Sequence, residues 1–250
     1  MKIKQLLSTT EHRPWDLPTD DWKYYQEWNE AIFLHWPAPI ELLRNFVPEE
    51  LLIDTLDGQA WVSLVAFTME KVRLKYLPGF PLLSNFDEIN IRTYIKNGKR
   101  GGVYFLNIEG GKRLSCWMAK QLSQLPYKYS AVIRKTGLYQ AKNNAYPDLL
   151  EIKYEVKQQQ VAKDPLDPWL TERYMLYQDY GDYINEYEIH HIEWPLMGIA
   201  LESLKVNYKR FGKLLHGPPA KVHYSPGVQV IAWDKKRKLK TEYSNTFIDI

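Results

Sequence analysis

Four polar residues recur at every second position of one segment: Glu88, Asn90, Arg92 and Tyr94, with Ile89, Ile91, Thr93 and Ile95 between them. Alternate residues of a strand point to opposite faces, so the four share one side. On a curved sheet such a polar face is either the solvent side or the wall of a polar cavity. Arginine presents a planar fork of donors that matches a carboxylate. Arg92 is therefore the first candidate for holding an organic anion, with Glu88, Asn90 and Tyr94 around it. Tyr104 and Asn107 lie on the next apolar run, and the register of the pair decides whether they face the same space.

A second group, Glu172, Arg173 and Tyr174, follows Thr171. It reads either as an ion pair tying a corner to the sheet or as a catalytic carboxylate. In an apolar cavity Glu172 would have a raised pKa and could act as a general acid or base. The histidines offer less. His190 and His191 are adjacent and face apart on a strand, and no HxH or HxxxH pair occurs. Zinc takes three or four converging ligands, so no metal is expected. His223-Tyr224-Ser225 sets a base near a hydroxyl, yet strand neighbours diverge and no Gly-x-Ser-x-Gly elbow is present. Cys116, beside Trp117, reads as a buried thiol. Gly101-Gly102 and Gly110-Gly111 belong to no P-loop or dinucleotide fingerprint, so no cofactor is implied.

The elements that must position these residues are mostly strands. Asp57-Gly58 between two apolar runs predicts a hairpin of Leu51–Thr55 with Gln59–Val72, whose Trp61–Phe67 stretch is apolar on both faces and suits a central strand. Leu77–Pro81 is a rigid loop. Glu88–Ile95 and Val103–Ile108 form a second hairpin about residues 97–102. Apolar spacing at Leu114, Trp117, Met118, Leu122 and Leu125 predicts a helix ended by Pro126, and a short helix is expected at Ile40–Phe46. Strands are expected at Tyr129–Lys135, Gly137–Ala141, Leu150–Val156, Tyr183–Trp194, Lys221–Tyr224 and Val228–Trp233. About ten short strands with one or two helices imply a mainly β (α+β) protein with a curved or closed antiparallel sheet. Residues 1–21 read as an N-terminal arm, 22–234 as one β domain and 235–250 as a polar tail.

Composition narrows the partners. The chain has 250 residues with 45% hydrophobic and 25% charged, an ordinary globular balance. Nine Trp and eighteen Tyr favour strands first and an aromatic-lined pocket second. A net charge of +3 is too small to predict nucleic acid as a partner. One cysteine forbids an intrachain disulfide, and neither a signal sequence nor a run of about 20 apolar residues is present, so a cytoplasmic protein with no membrane partner is expected.

Seven strings in order resemble the YqjF-like family of uncharacterised bacterial proteins: His35-Trp36-Pro37, Ile91-Arg92-Thr93-Tyr94, Gly102-Val103-Tyr104-Phe105, Leu125-Pro126-Tyr127, Leu170-Thr171-Glu172-Arg173-Tyr174, Trp194-Pro195-Leu196 and His223-Tyr224-Ser225-Pro226-Gly227-Val228. They span roughly residues 30–234. The resemblance implies a fold like that of acetoacetate decarboxylase, a curved antiparallel β structure around a buried polar cavity for a small organic acid. In that enzyme two adjacent lysines follow a Phe-Pro step, and the first forms a Schiff base with the substrate ketone. Here Leu125-Pro126 is followed by Tyr127 and Lys128. The resemblance thus puts a phenol, which cannot form an imine, on the Schiff-base position, and Lys128 on the position of the cationic neighbour.

Together these readings point to a binder of a small organic carboxylate. Arg92, Tyr94, Tyr104, Glu88, Asn90 and Tyr127 are the candidate ligand contacts, and Glu172 and Lys128 the candidate proton carriers of a lyase or hydrolase. A non-catalytic sensor using the same cavity, and an interaction protein forming a homo-oligomer, are the alternatives.

Overall fold

The apolar run at the start of residues 60–74 and the alternating pattern of residues 86–97 are both realised as long paired strands. In the computed structural model, which describes residues 1–80, 84–160 and 163–244, fourteen strands make one curved sheet. Seven of them surround the candidate site: β1 (Tyr24–Ala38), β3 (Ala60–Leu74), β4 (Phe86–Asn97), β5 (Arg100–Gly110), β10 (Met175–Tyr180), β11 (Tyr183–His190) and β13 (Lys221–Ala232). Each pairs with the next in the order β11-β10-β5-β4-β3-β1-β13, and β13 pairs again with β11, closing the circuit. All of these pairings are antiparallel except β10 with β5. A second parallel pairing sets β6 (Tyr127–Tyr129) beside β5. The sheet is therefore mixed where an antiparallel one is predicted. Gly102 permits the close approach of β10, because a Cβ there would lie 2.6 Å from the Met175 carbonyl oxygen.

The outer face of this circuit carries Ile32, Leu34, Leu64, Ile89 and Ile91. The remaining strands β12 (Met197–Asn207), β9 (Leu149–Gln160), β8 (Leu138–Lys142) and β7 (Ala131–Lys135) continue the sheet beyond β13. Their Leu150, Ile152 and Tyr139 join the same core as those aliphatics. Each fully buried aliphatic side chain contributes about 2 kcal/mol there. The helices are short: α1 (Ile3–Ser8), α2 (Ile40–Leu43), α3 (Arg113–Ser123), α4 (Leu166–Thr171) and α5 (Lys240–Ser244). The predicted amphipathic helix is α3, ended by Gln124 in the left-handed conformation before Pro126.

Local signals and tertiary pairing part company in three places. The Asp57-Gly58 turn forms, with φ of 50° and 79° at its two residues, but only one bridge, Leu56 to Gln59, follows it. The expected first arm shrinks to β2 (Leu52–Ile53), which pairs β4 instead, because β3 already has β1 and β4 on its two edges. Leu170 and Thr171, which open the string Leu170–Tyr174 quoted above, close α4 rather than lying in a strand. The predicted polar tail supplies an edge strand, β14 (Lys236–Leu239), paired with β11 and anchored by Lys238 at 2.9 Å from Glu186. Pro81 of the predicted loop and residues 245–250 of the tail lie outside the described residues. The N-terminal arm packs tightly: Leu6 is buried beside Trp22 and Trp233, and Arg13 pairs with Glu188 under the Trp15 ring.

Candidate functional site

All seven strands of the circuit contribute side chains to an internal cavity of about 400 Å³. That size suits a small-molecule site, and so does its make-up, apolar walls with a few polar groups. Phe33, Val65, Phe67 and Trp194 form the apolar wall beside the polar end. Glu88, Asn90 and Arg92 line the cavity together, as the period-two pattern of β4 requires, while Ile89 and Ile91 face the outer core. Thr171, Arg173 and His191 complete the polar end.

Glu88 is buried, and its carboxylate accepts hydrogen bonds from the Tyr127 hydroxyl at 2.7 Å and from Asn90 Nδ2 at 3.2 Å. Burial outweighs these bonds and the nearby Arg92, and pushes its pKa up to about 7. Arg92 is buried with its guanidinium 5.8 Å from the Phe33 ring, and Nη2 donates to the Leu170 carbonyl at 3.4 Å. Arg173 is held on three sides: Nε donates to Trp169 O, Nη1 pairs with Asp54 at 2.7 Å, and the plane stacks on Trp169 at 4.3 Å. Among the described residues, three buried polar atoms on these cavity-lining side chains have no partner: Arg92 Nε, Arg173 Nη2 and Asn90 Oδ1. Buried polar atoms in folded proteins are nearly always satisfied, so these three atoms are the ones at this end of the cavity that have hydrogen-bonding capacity to spare. His191 is buried against Trp194 and Tyr174, and burial lowers its pKa to about 4, so it is neutral.

The other predicted residues lie elsewhere. Tyr94 sits behind the polar end, its hydroxyl 2.5 Å from Ser63 Oγ. Tyr104 faces the outer core and donates to Asp179 at 2.5 Å. The register is the reason: β5 carries an extra residue opposite the step from Ile91 to Arg92, and Tyr104 falls opposite Thr93. Lys128 is the strand neighbour of Tyr127, so it faces away from the cavity and donates to Asn107 Oδ1 at 2.8 Å. Tyr127, on the expected Schiff-base position, does line the cavity, whereas the lining lysine is Lys235, half-buried. Glu172 is absent from the lining. It accepts from the Trp194 backbone N–H at 3.0 Å and from the Tyr174 hydroxyl at 3.1 Å, which fixes the tryptophan that walls the cavity.

Sequence reasoning passed over two features. Arg173, expected only as one half of an ion pair, pairs with Asp54 and also lines the cavity beside Thr171, the last residue of α4. A buried chain also runs behind Arg92: His223 Nε2 to Asp167 at 2.7 Å, His223 Nδ1 to His35 Nε2 at 3.1 Å, His35 Nδ1 to Ser63 Oγ at 2.6 Å, and Ser63 to Tyr94. Burial lowers the pKa of both histidines, leaving them neutral. The Asp167 carboxylate then requires a proton on His223 Nε2. Each ring must in turn accept on Nδ1, so His35 donates to His223 and Ser63 donates to His35. Five sequence-distant residues thereby lock the strand pair that carries Arg92. Among the described residues no group of three or more His, Cys, Asp or Glu side chains is arranged to hold a metal ion. Among them, too, no helix is long and apolar enough to cross a membrane.

A family model described as an uncharacterised conserved protein family, DUF2071, matches residues 25–229. The chain belongs to this family. The uncharacterised protein YqjF of Bacillus subtilis (strain 168) is 32% identical over 229 residues, covering 88% of this chain and 95% of that protein. Among solved structures, acetoacetate decarboxylase from Legionella pneumophila superposes with a TM-score of 0.60 at 12% identity, over 94% of each chain. An acetoacetate decarboxylase-like enzyme from Sphingomonas wittichii RW1 gives 0.57 at 14% identity, over 88% of this chain and 94% of that one. The enduracididine biosynthesis enzyme MppR, solved with pyruvate, gives 0.55 at 12% identity, over 91% and 93%. At these identities the likeness shows the family's fold, a mainly β, curved mixed sheet of the acetoacetate decarboxylase type.

Proposed function

We propose that the chain binds a small organic anion, a carboxylate, in the β-lined cavity, with Arg92 as its ion-pair partner and Asn90, Arg173 and Tyr127 around it. One observation carries the reading: a buried guanidinium with no carboxylate partner among the described residues, whose Nε is unsatisfied beside a second unsatisfied guanidinium N–H. Leaving such a charge unpaired in a protein interior costs several kcal/mol, a cost that a bound carboxylate removes. A relative in fold was solved with pyruvate, an anion of this class. Calorimetric titration of the intact protein with a panel of carboxylates tests the reading. At least one acid should bind and lose about a hundredfold in affinity on Arg92→Gln. A panel in which no acid binds, or in which R92Q binds equally well, overturns it.

The pKa of Glu88, about 7, in hydrogen-bond contact with Tyr127 favours a second reading in which the bound acid also exchanges a proton. Glu88 would then be the base, while Glu172 would act through Trp194. Imine chemistry on Lys128 has no support from its position across the sheet. Deuterium exchange at the carbon next to the carbonyl of added pyruvate, followed by NMR, separates binding from chemistry. Exchange that disappears in Glu88→Gln supports catalysis, whereas pyruvate bound without exchange argues for binding alone.

A further inference from the structure

The cavity is much longer than a small keto acid needs. The buried Glu88, Asn90, Arg92 and Arg173 gather at one end, while Gln26, Arg73, Asp234 and Lys235 also line the cavity, Lys235 Nζ donating to the Leu122 carbonyl at 3.4 Å. On β4 the buried polar groups run from Arg92 to Glu88, and across the sheet Asn90 pairs with Val65, which pairs with Phe33. Beyond Glu88 the lining turns apolar: Phe86 pairs with Met69, Met69 with Trp28, and the lining continues through Val72 to Leu74 on β3. From Phe67 to Leu74 the strand advances roughly 20 Å at about 3.3 Å per residue. Met118 and Leu122 of α3 cover this length. Leu77, Phe80 and Leu122 line the cavity and are 55%, 59% and 61% exposed, so the apolar channel opens to solvent between them.

Building on the carboxylate reading above, we propose that the ligand is a carboxylic acid with a long unbranched apolar tail, its head at Arg92 and Asn90 and its tail laid along β1 and β3 under α3 to this mouth. The dimensions agree. One acyl tail of a bilayer spans about half of a roughly 30 Å hydrocarbon core, some 15 Å, and fits within the apolar length. The shape explains why one end holds buried polar groups while the longer, open remainder is mostly apolar, with charged side chains such as Lys235 at its rim. A tail entering the mouth also covers three large side chains otherwise left in water.

The test is calorimetry and native mass spectrometry of the full chain with butyrate, octanoate and dodecanoate, with dodecanol as the uncharged control. Affinity should rise about fourfold per added methylene, the equivalent of about 0.8 kcal/mol. Dodecanol should bind at least about tenfold more weakly than dodecanoate. Leu122→Asp, a change at an exposed position that leaves the core intact, should lower dodecanoate affinity about tenfold more than it lowers butyrate affinity. Equal affinity for all three acids overturns the tail and leaves the carboxylate site standing. Equal losses for both acids in L122D overturn the path to this mouth. Binding of no acid at all overturns the inference together with the reading on which it rests.

Discussion

Replacing Glu88 by glutamine is expected to stabilise the protein at neutral and alkaline pH, and by an amount that grows with pH. The carboxyl is buried in the cavity wall with a pKa near 7, against an ordinary value of 4.5. A raised carboxyl pKa means that the folded state holds its proton after the unfolded chain has released it. Its cost is absent below pH 4.5, appears as pH rises, and levels off above pH 7. At about 1.4 kcal/mol per unit, the gap amounts to about 3 kcal/mol at pH 8 and less than about 1 kcal/mol at pH 5. Glutamine mimics the protonated acid and needs little rearrangement. Its carbonyl can accept from the Tyr127 hydroxyl, while its amide replaces the oxygen that accepts from Asn90 Nδ2, so the Asn90 amide turns to present Oδ1, which has no partner among the described residues. Denaturant unfolding of both proteins at several pH values between 5 and 8 measures the difference directly. A stability difference that stays constant across this range would refute the reasoning, because it would show that Glu88 titrates alike in the folded and unfolded states.

Two further outcomes are expected. The buried histidines act in the opposite direction to Glu88, since a folded pKa below 6.5 means that their contribution is fully present above 6.5 and is lost as pH falls. For His191, with a pKa of about 4, the loss between pH 7.5 and pH 5 is about 2 kcal/mol, and His191→Gln should remove that part of the pH dependence in urea unfolding; an unchanged slope would show the ring to be solvated. Borohydride reduction in the presence of pyruvate or acetoacetate should leave Lys128 unmodified by intact-mass and peptide analysis, because its ammonium donates to Asn107 on the far side of the sheet from Tyr127; a reduced adduct on Lys128 would show that this side chain reaches the cavity.

Much of the candidate site was legible because a strand's period is a local property. Glu88, Asn90 and Arg92 could be assigned to one face from their spacing alone, with Ile89 and Ile91 on the other. Tyr127 followed from the resemblance. The same logic failed for Tyr104, because an extra residue in β5 changes which of its side chains face β4's polar side, and nothing local marks that irregularity. It failed for Glu172 for a different reason: a carboxylate attracts a catalytic reading, while the neighbouring Arg173 carries the side chain that reaches the cavity.

By itself the sequence determined the long strands β3 and β4, the helix α3, the Asp57-Gly58 turn and the mainly β class, since each rests on hydrophobic period or backbone preference within a few residues. Only the tertiary structure decided that β13 meets β11 and encloses a space, that Lys236–Leu239 of the polar tail become an edge strand, and that His35, Ser63, Tyr94, Asp167 and His223 form one buried chain. Those contacts join residues up to 188 positions apart, as His35 to His223 shows. Their energy comes from burial and pairing that exist only once the circuit of strands has closed.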